Sequence, residues 1–301
     1  MLVFVRKLLL GLAAIAVIVN AVILMRVLWC WRAMDEAYKL ERGAKVLVVG
    51  SSQAGCSFNA KDGYKILWVE ASPPQIVYFR LKKFLERNAT NDLRLIVTDF
   101  GPQTFCLQSK ERMPRFWYRE LPLTYAHLRE MPCAVSDFLT FACSHLQMPF
   151  NFDQRWDGAG RPSLAEKSHE WKRERLAETL KSHYHHYAPL SGENVNFEDW
   201  WRMTVNPYVS MKEACDEKGL SFVVFVPPTT EYYRDAIPEC ARRDFDKALG
   251  FLDERGIRVV DLRGLEIDEE YFCDAIHLTE KGADILTGIF WDELKRRGIE
   301  P

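Results

Sequence analysis

Two short stretches, far apart in the chain, hold side chains that can act together on a carbonyl group. The first is Lys45-Val-Leu-Val-Val-Gly50-Ser51-Ser52-Gln53, an apolar run that ends in a glycine and two hydroxyls. The second is Cys273-Asp274-Ala275-Ile276-His277-Leu278. A hydroxyl, an imidazole and a carboxylate are the groups that make serine a nucleophile: the imidazole takes the hydroxyl proton and the carboxylate fixes the imidazole's tautomer. The spacing of Asp274 and His277 lets the carboxylate reach one ring nitrogen on a single turn, leaving the other for a serine. The apolar run predicts a buried strand whose carboxyl end carries the hydroxyls, at the rim where open α/β sheets hold ligands.

In these residues the chain resembles the SGNH, or GDSL, hydrolase superfamily, which opens with a strand and Gly-Asp-Ser and closes with Asp-x-x-His before a final helix. Gly50-Ser51-Ser52 matches the first block with Ser in place of Asp, and Asp274-Ala275-Ile276-His277 matches the last. His277-Leu-Thr-Glu-Lys-Gly282-Ala283 is similar to the family's His-Leu-x-x-x-Gly-Ala. The resemblance spans roughly residues 44–298, with its specific motifs at the two ends. It implies Ser52, rather than Ser51, as nucleophile, His277 as base and Asp274 as the acid that orients it, with no metal and no cofactor.

The family's middle blocks supply oxyanion donors, and there the chain departs from the pattern. Where a glycine N–H is expected it reads Val69-Glu70-Ala71-Ser72-Pro73-Pro74, and proline has no N–H to give. Gly101-Pro102-Gln103 stands where the family has Gly-x-Asn, so a Gln103 amide replaces the Asn amide and can still donate. The expected oxyanion donors are therefore Gln103, Gln53 and Gly101. Arg155 and Arg161, which flank the loop Asp157-Gly-Ala-Gly-Arg-Pro162, are candidate substrate-binding residues for an acidic sugar.

The elements that must position these groups follow from periodicity. Val46–Val49, Ile66–Val69, Leu93–Val97, Phe222–Val226 and Arg258–Val260 read as short buried strands of a parallel sheet. Helical patterns lie between them, notably Ile76–Arg87. The alternation predicts a flavodoxin-like, doubly wound α/β fold with a five-stranded parallel sheet, the SGNH hydrolase fold. A last helix should begin at Thr279 as cap and bury Ala283, Leu286, Phe290 and Leu294, ending in Lys295-Arg296-Arg297 before Gly298. Residues 104–205 break the alternation and hold Phe105, Trp117, Tyr118, Trp156, Trp171, Trp200 and Trp201. Their aromatic content predicts a mostly helical insertion rather than a linker.

Leu8 to Met25 is an 18-residue run whose one strongly polar side chain is Asn20. With Arg26 snorkelling and Trp29 and Trp31 at an interface, residues 8–31 predict a transmembrane anchor after a short basic segment, 1–7. A juxtamembrane linker at 32–43 and the SGNH-like domain at 44–301 complete the expected organisation. Residues 1–45 carry seven Lys/Arg and three Asp/Glu, a net of +4, which leaves −6 of the total −2 for residues 46–301. The acidic body argues against nucleic-acid binding. Basic residues flank the run on both sides, so charge alone does not orient it. The anchored architecture is similar to SGNH proteins that serve multi-pass O-acyltransferases in alginate acetylation and teichoic acid D-alanylation. That resemblance implies an extracytoplasmic domain, a cell-envelope glycan or acyl ester as substrate, and a multi-pass membrane partner. A carbohydrate or lipid esterase is the alternative, and an SGNH-like scaffold that only binds is a second.

Other readings of these motifs are weaker. Gly50-Ser-Ser-Gln-Ala-Gly55-Cys56-Ser57 matches a phosphate loop except that Cys56 replaces its lysine, which removes the main cation. His183, His185 and His186 have no carboxylate or cysteine to complete a metal set and read as a solvated helix face. Cys133 and Cys143 lie close enough to close a loop, yet the eight cysteines are read chiefly as unpaired thiols.

Overall fold

Strands of a parallel sheet are buried on both faces and therefore need nearly continuous apolar side chains. In the computed structural model, Val46–Ser51 (β1), Tyr64–Val69 (β2), Leu95–Asp99 (β3), Ser221–Val226 (β4) and Arg258–Asp261 (β5) form one parallel sheet in the order β2-β1-β3-β4-β5. The structure describes residues 39–40, 42–59, 63–69, 73–88, 90, 92–106, 168–184 and 197–300, with scattered positions between 4 and 25. Val48 pairs with Ile66 on one side and Val97 on the other, so the chain reverses its direction of winding at β1 and β3. In a doubly wound sheet that point leaves a crevice beyond the carboxyl ends of the two strands.

Alternate residues of β1 feed two cores. Leu47 and Val49 join Leu81, Phe84, Phe100, Tyr208 and Phe245 on one face. Val46 and Val48 join Ala54, Phe58, Phe225, Leu286 and Phe290 on the other. The helices Pro74–Arg87 (α2), Asn206–Asp216 (α7) and Glu239–Glu254 (α9) cover the first face, while Ser52–Ser57 (α1) and Glu280–Arg296 (α10) cover the second; the short helix Glu231–Ala236 (α8) follows β4. Helix α2 starts two residues before the expected Ile76, because Pro74 is well suited to its first turn. Helix α10 matches its pattern: Thr279 Oγ1 accepts the Gly282 N–H at 3.2 Å, and Ala283, Leu286, Phe290 and Leu294 are fully buried.

Strand boundaries differ from the expected ones in an informative way. β3 is Leu95–Asp99 instead of Leu93–Val97. Its polar end, Thr98 and Asp99, is as buried as its apolar start, at 1% and 2% exposure. β1 likewise runs on through Gly50 to Ser51, and β2 begins at Tyr64. Between β3 and β4, the described parts of the 104–205 stretch are helical: Pro102–Cys106 (α3), which leads into it, His169–Glu174 (α4), Leu176–Tyr184 (α5) and Phe197–Thr204 (α6). Phe105 packs at the edge of Phe100 and Phe245, and Trp201 at the edge of Phe251. Trp117, Tyr118, Trp156, Arg155, Arg161, Cys133 and Cys143 lie outside the described residues, as do His185 and His186.

Among the described residues no helix is long and apolar enough to cross a membrane. Most of the expected anchor, 8–31, lies outside those residues. Its described positions are helical, and Leu10, Ile15, Val17, Ile18 and Met25 each expose more than half their surface.

Phe290 sits at the centre of the second core, edge-on to Phe58, Phe225 and Trp291. Phe290→Ala should lower unfolding free energy by about 3–5 kcal/mol in a denaturant titration, the usual cost of removing a packed aromatic side chain. A loss below about 1 kcal/mol would mean that this face is not the close-packed core described.

Candidate active site

β1 passes directly into α1, and the change of conformation falls between the two serines. Ser51 is extended and caps the helix, its Oγ accepting the Gln53 N–H at 3.1 Å. Ser52 is the first helical residue, half-buried, with its Oγ 2.9 Å from His277 Nε2. His277 Nδ1 lies 2.8 Å from Asp274 Oδ2. The three predicted residues thus form one connected chain, from Ser52 through His277 to Asp274.

The loop carrying Asp274 and His277 is fastened from several sides. Asp274 Oδ1 accepts the backbone N–H groups of Ile276 and His277, each at 2.9 Å, an Asx-type turn closed by this side chain. The Cys273 N–H donates to the His277 carbonyl at 2.7 Å and the Thr279 N–H to the Tyr271 carbonyl at 2.8 Å. Gly282 permits that closure, since a Cβ there would meet the Tyr271 carbonyl at 2.4 Å. From the β4 side, Thr230 donates its N–H and hydroxyl to the Ala275 carbonyl at 3.1 and 3.0 Å. From the stretch before β4, the buried Lys172 of α4 donates to the Phe272 carbonyl at 2.5 Å, and Arg173 pairs with Glu269 at 2.9 Å. The described part of the insertion therefore braces the histidine loop. Arg173 and Leu176 also line an open groove of about 700 Å³ with Thr230, Tyr232, Ile267 and Glu269.

Burial opposes ionisation of Asp274, but the hydrogen bond and charge of His277 outweigh it, aided by the two backbone N–H groups, and the carboxyl falls to about 2. An ionised carboxylate only accepts hydrogen bonds, which assigns the proton to His277 Nδ1 and leaves the Nε2 lone pair facing the Ser52 hydroxyl. In that tautomer Nε2 can take the proton as Ser52 attacks.

The expected oxyanion donors fare differently. The Gln53 backbone N–H already serves Ser51 Oγ, and its side-chain amide donates to the Ile276 carbonyl at 3.2 Å. Gln53 is thus tied to the turn, and an oxyanion would compete for its N–H. Gln103 is 2% exposed and its amide N and O have no hydrogen-bond partner among the described residues. It folds back over Gly101, where a Cβ would lie 2.5 Å from Gln103 Nε2. An orphaned buried amide is costly, and this one remains available as a donor. The Ser52 N–H, first in α1, has no acceptor within its helix.

One residue of the site is absent from the motif reading. Asp99, at the end of β3, accepts the Ser51 N–H at 2.8 Å through Oδ1 and bonds the Ser51 hydroxyl through Oδ2. Burial pushes its carboxyl above the ordinary range, against the hydrogen bonds from Ser51 and the charge of His277. The sequence marks it only as an acid ending an apolar run; the pairing of β3 with β1 places it beside the serine turn. The phosphate-loop reading, already disfavoured by the missing lysine, finds no support, because α1 starts at Ser52. One other expectation is corrected: His183 is half-buried rather than fully solvated, and its Nδ1 hydrogen-bonds the Tyr233 hydroxyl at 2.7 Å. No group of three or more His, Cys, Asp or Glu side chains suited to a metal occurs among the described residues.

No family model matches the chain, and no curated protein matches it. Among solved structures, it is similar to a GDSL-like lipase from Bacteroides thetaiotaomicron VPI-5482, with 11% identity, a TM-score of 0.42, and coverage of 89% of this chain and 98% of that one. It is also similar to a protein assigned as an acylhydrolase from Bacteroides fragilis NCTC 9343, with 10% identity, a TM-score of 0.44 and the same coverage.

The low value for Asp274 carries a pH signature. A carboxyl held below its ordinary 3.8 stabilises the fold above that pH, and the contribution disappears as pH falls toward about 2. The stability difference between the wild type and Asp274→Asn should therefore shrink across that interval in urea titrations. A difference independent of pH there would contradict the ionised Asp274–His277 pair.

Proposed function

We propose that this protein is a serine esterase of the SGNH/GDSL type, and the observation that carries the reading is the connected chain Ser52 Oγ, His277 and Asp274 at 2.9 and 2.8 Å. These separations are those of a nucleophile and base ready for proton transfer. His277 Nε2 takes the Ser52 proton as Oγ bonds to the acyl carbon of an ester. The carbonyl π electrons move to oxygen, and the oxyanion is met by the Ser52 N–H and the Gln103 amide. His277 then returns the proton to the departing alkoxide as the C–O bond breaks, leaving an acyl group on Ser52. Water, or a hydroxyl of an acceptor, adds to that acyl-enzyme with His277 again as base, and Ser52 is regenerated.

The finer reading places this chemistry on a cell-envelope polysaccharide, at a membrane anchored by residues 8–31 with the domain extracytoplasmic. Its support is the apolar composition of that run and the exposure of Leu10, Ile15, Val17, Ile18 and Met25, side chains that favour lipid over water. An anchored enzyme receiving acyl groups from a multi-pass O-acyltransferase would transfer to glycan. The same site without such a donor is a carbohydrate or lipid esterase. A binding scaffold fits less well, because a scaffold has no use for the Ser52–His277–Asp274 alignment.

Hydrolysis of an activated aryl acetate separates these readings from the scaffold. Wild type should turn it over, and Ser52→Ala or His277→Ala should reduce kcat by about 10³-fold or more, the scale seen when one member of such a triad is removed. Ser52→Ala with wild-type turnover would exclude covalent catalysis at this serine.

A further inference from the structure

Asp99 lies one strand away from the serine turn, and the reaction above gives it no step. Its side chain is 2% exposed. Among the described residues no lysine or arginine is paired with it. Burying a carboxyl in such a place is expensive unless its oxygens are fully used. Both are used, and both on the same residue: Oδ1 on the Ser51 N–H and Oδ2 on the Ser51 hydroxyl.

Resting on the serine-esterase reading, we infer that Asp99 is a positioning residue, which clamps Ser51 from the neighbouring strand and thereby fixes the β1–α1 turn that aims Ser52 at His277. Three observations converge on it. The clamp orients the Ser51 hydroxyl so that its oxygen faces the Gln53 N–H at 3.1 Å, setting the first turn of α1. The space for the carboxylate exists because position 50 has no side chain: a Cβ on Gly50 would fall 1.9 Å from Asp99 Oδ1 and 2.7 Å from the Ala54 Cβ. Asp99 is itself held by the buried Tyr208 of α7, whose hydroxyl donates to the Asp99 carbonyl at 2.8 Å. Ser52 is one peptide beyond the clamped residue, so a rotation at Ser51 swings its Oγ away from Nε2.

Asp99 touches neither Ser52 Oγ nor the acyl group in this scheme, so its loss should appear in the rate of the chemical step and leave binding alone. The test uses the full chain and an aryl acetate, with Asp99→Asn, Ser51→Ala and the double variant. Asparagine keeps the size and the acceptor for the Ser51 N–H but presents an NH₂ where the Ser51 hydroxyl needs an acceptor. Each single variant should lose about 10- to 100-fold in kcat with KM within about twofold, since a misplacement of 1 Å can cost about 100-fold. The double variant should lose no more than about twofold beyond the worse single one, because both act through one contact. The inference is overturned if either single variant, folded by circular dichroism, keeps kcat within about twofold of wild type, or if the two losses multiply. Should Asp99→Asn fail to fold, Ser51→Ala decides alone. Ser52→Ala run in parallel separates the outcomes: if it remains active the esterase reading fails, and if it is inactive while Asp99→Asn is normal only the clamp fails.

Discussion

A hydrogen bond of 2.9 Å between Ser52 Oγ and His277 Nε2 joins the start of α1 to the loop before α10 across 225 positions of sequence. That distance tolerates little error, and each end is held by a separate device. At the serine end, the Gly50–Asp99 fit and the Ser51 cap define where α1 begins. At the histidine end, Asp274, Gly282, Thr230 and Lys172 hold the loop from four directions. The sheet between them keeps both ends at one carboxyl edge, where the β1/β3 reversal opens the crevice.

The polar groups buried around this crevice are costly. Asp99, Lys172 and Gln103 are each less than 5% exposed. Asp99 and Lys172 hold turns through their hydrogen bonds, which is how a buried polar group specifies one backbone arrangement. Gln103 is the exception, with neither end of its amide engaged among the described residues. In the reaction proposed above, its NH₂ is assigned to negative charge that appears only during reaction, the condition under which a donor contributes most to rate.

Where side-chain period and capping chemistry determine structure, the sequence was readable. β1 and α10 were legible because apolar runs, Thr279 and Gly298 act locally. The pairing of Ser52 with Asp274 and His277 was legible from motif spacing and family resemblance. Asp99 was not, because an acid after an apolar run looks the same whether it faces water or a neighbouring strand, and only the strand order makes β3 the neighbour of β1. For the same reason the end of β3 was placed two residues early, since Thr98 and Asp99 appear polar and are nevertheless buried. Gln53 looked available as an oxyanion donor because a backbone N–H carries no sequence signature. Its engagement by Ser51 depends on the cap geometry. His183 looked solvated because its partner, Tyr233, lies 50 residues away on another helix.

In the proposed reaction Ser52 is a nucleophile activated by His277. Treatment of the full chain with an organophosphonate that reacts with activated serines, followed by peptide mass spectrometry, tests it without knowledge of the natural substrate. A single adduct should form on Ser52 and be lost in His277→Ala. No adduct on Ser52, or one that forms equally fast without His277, would contradict it.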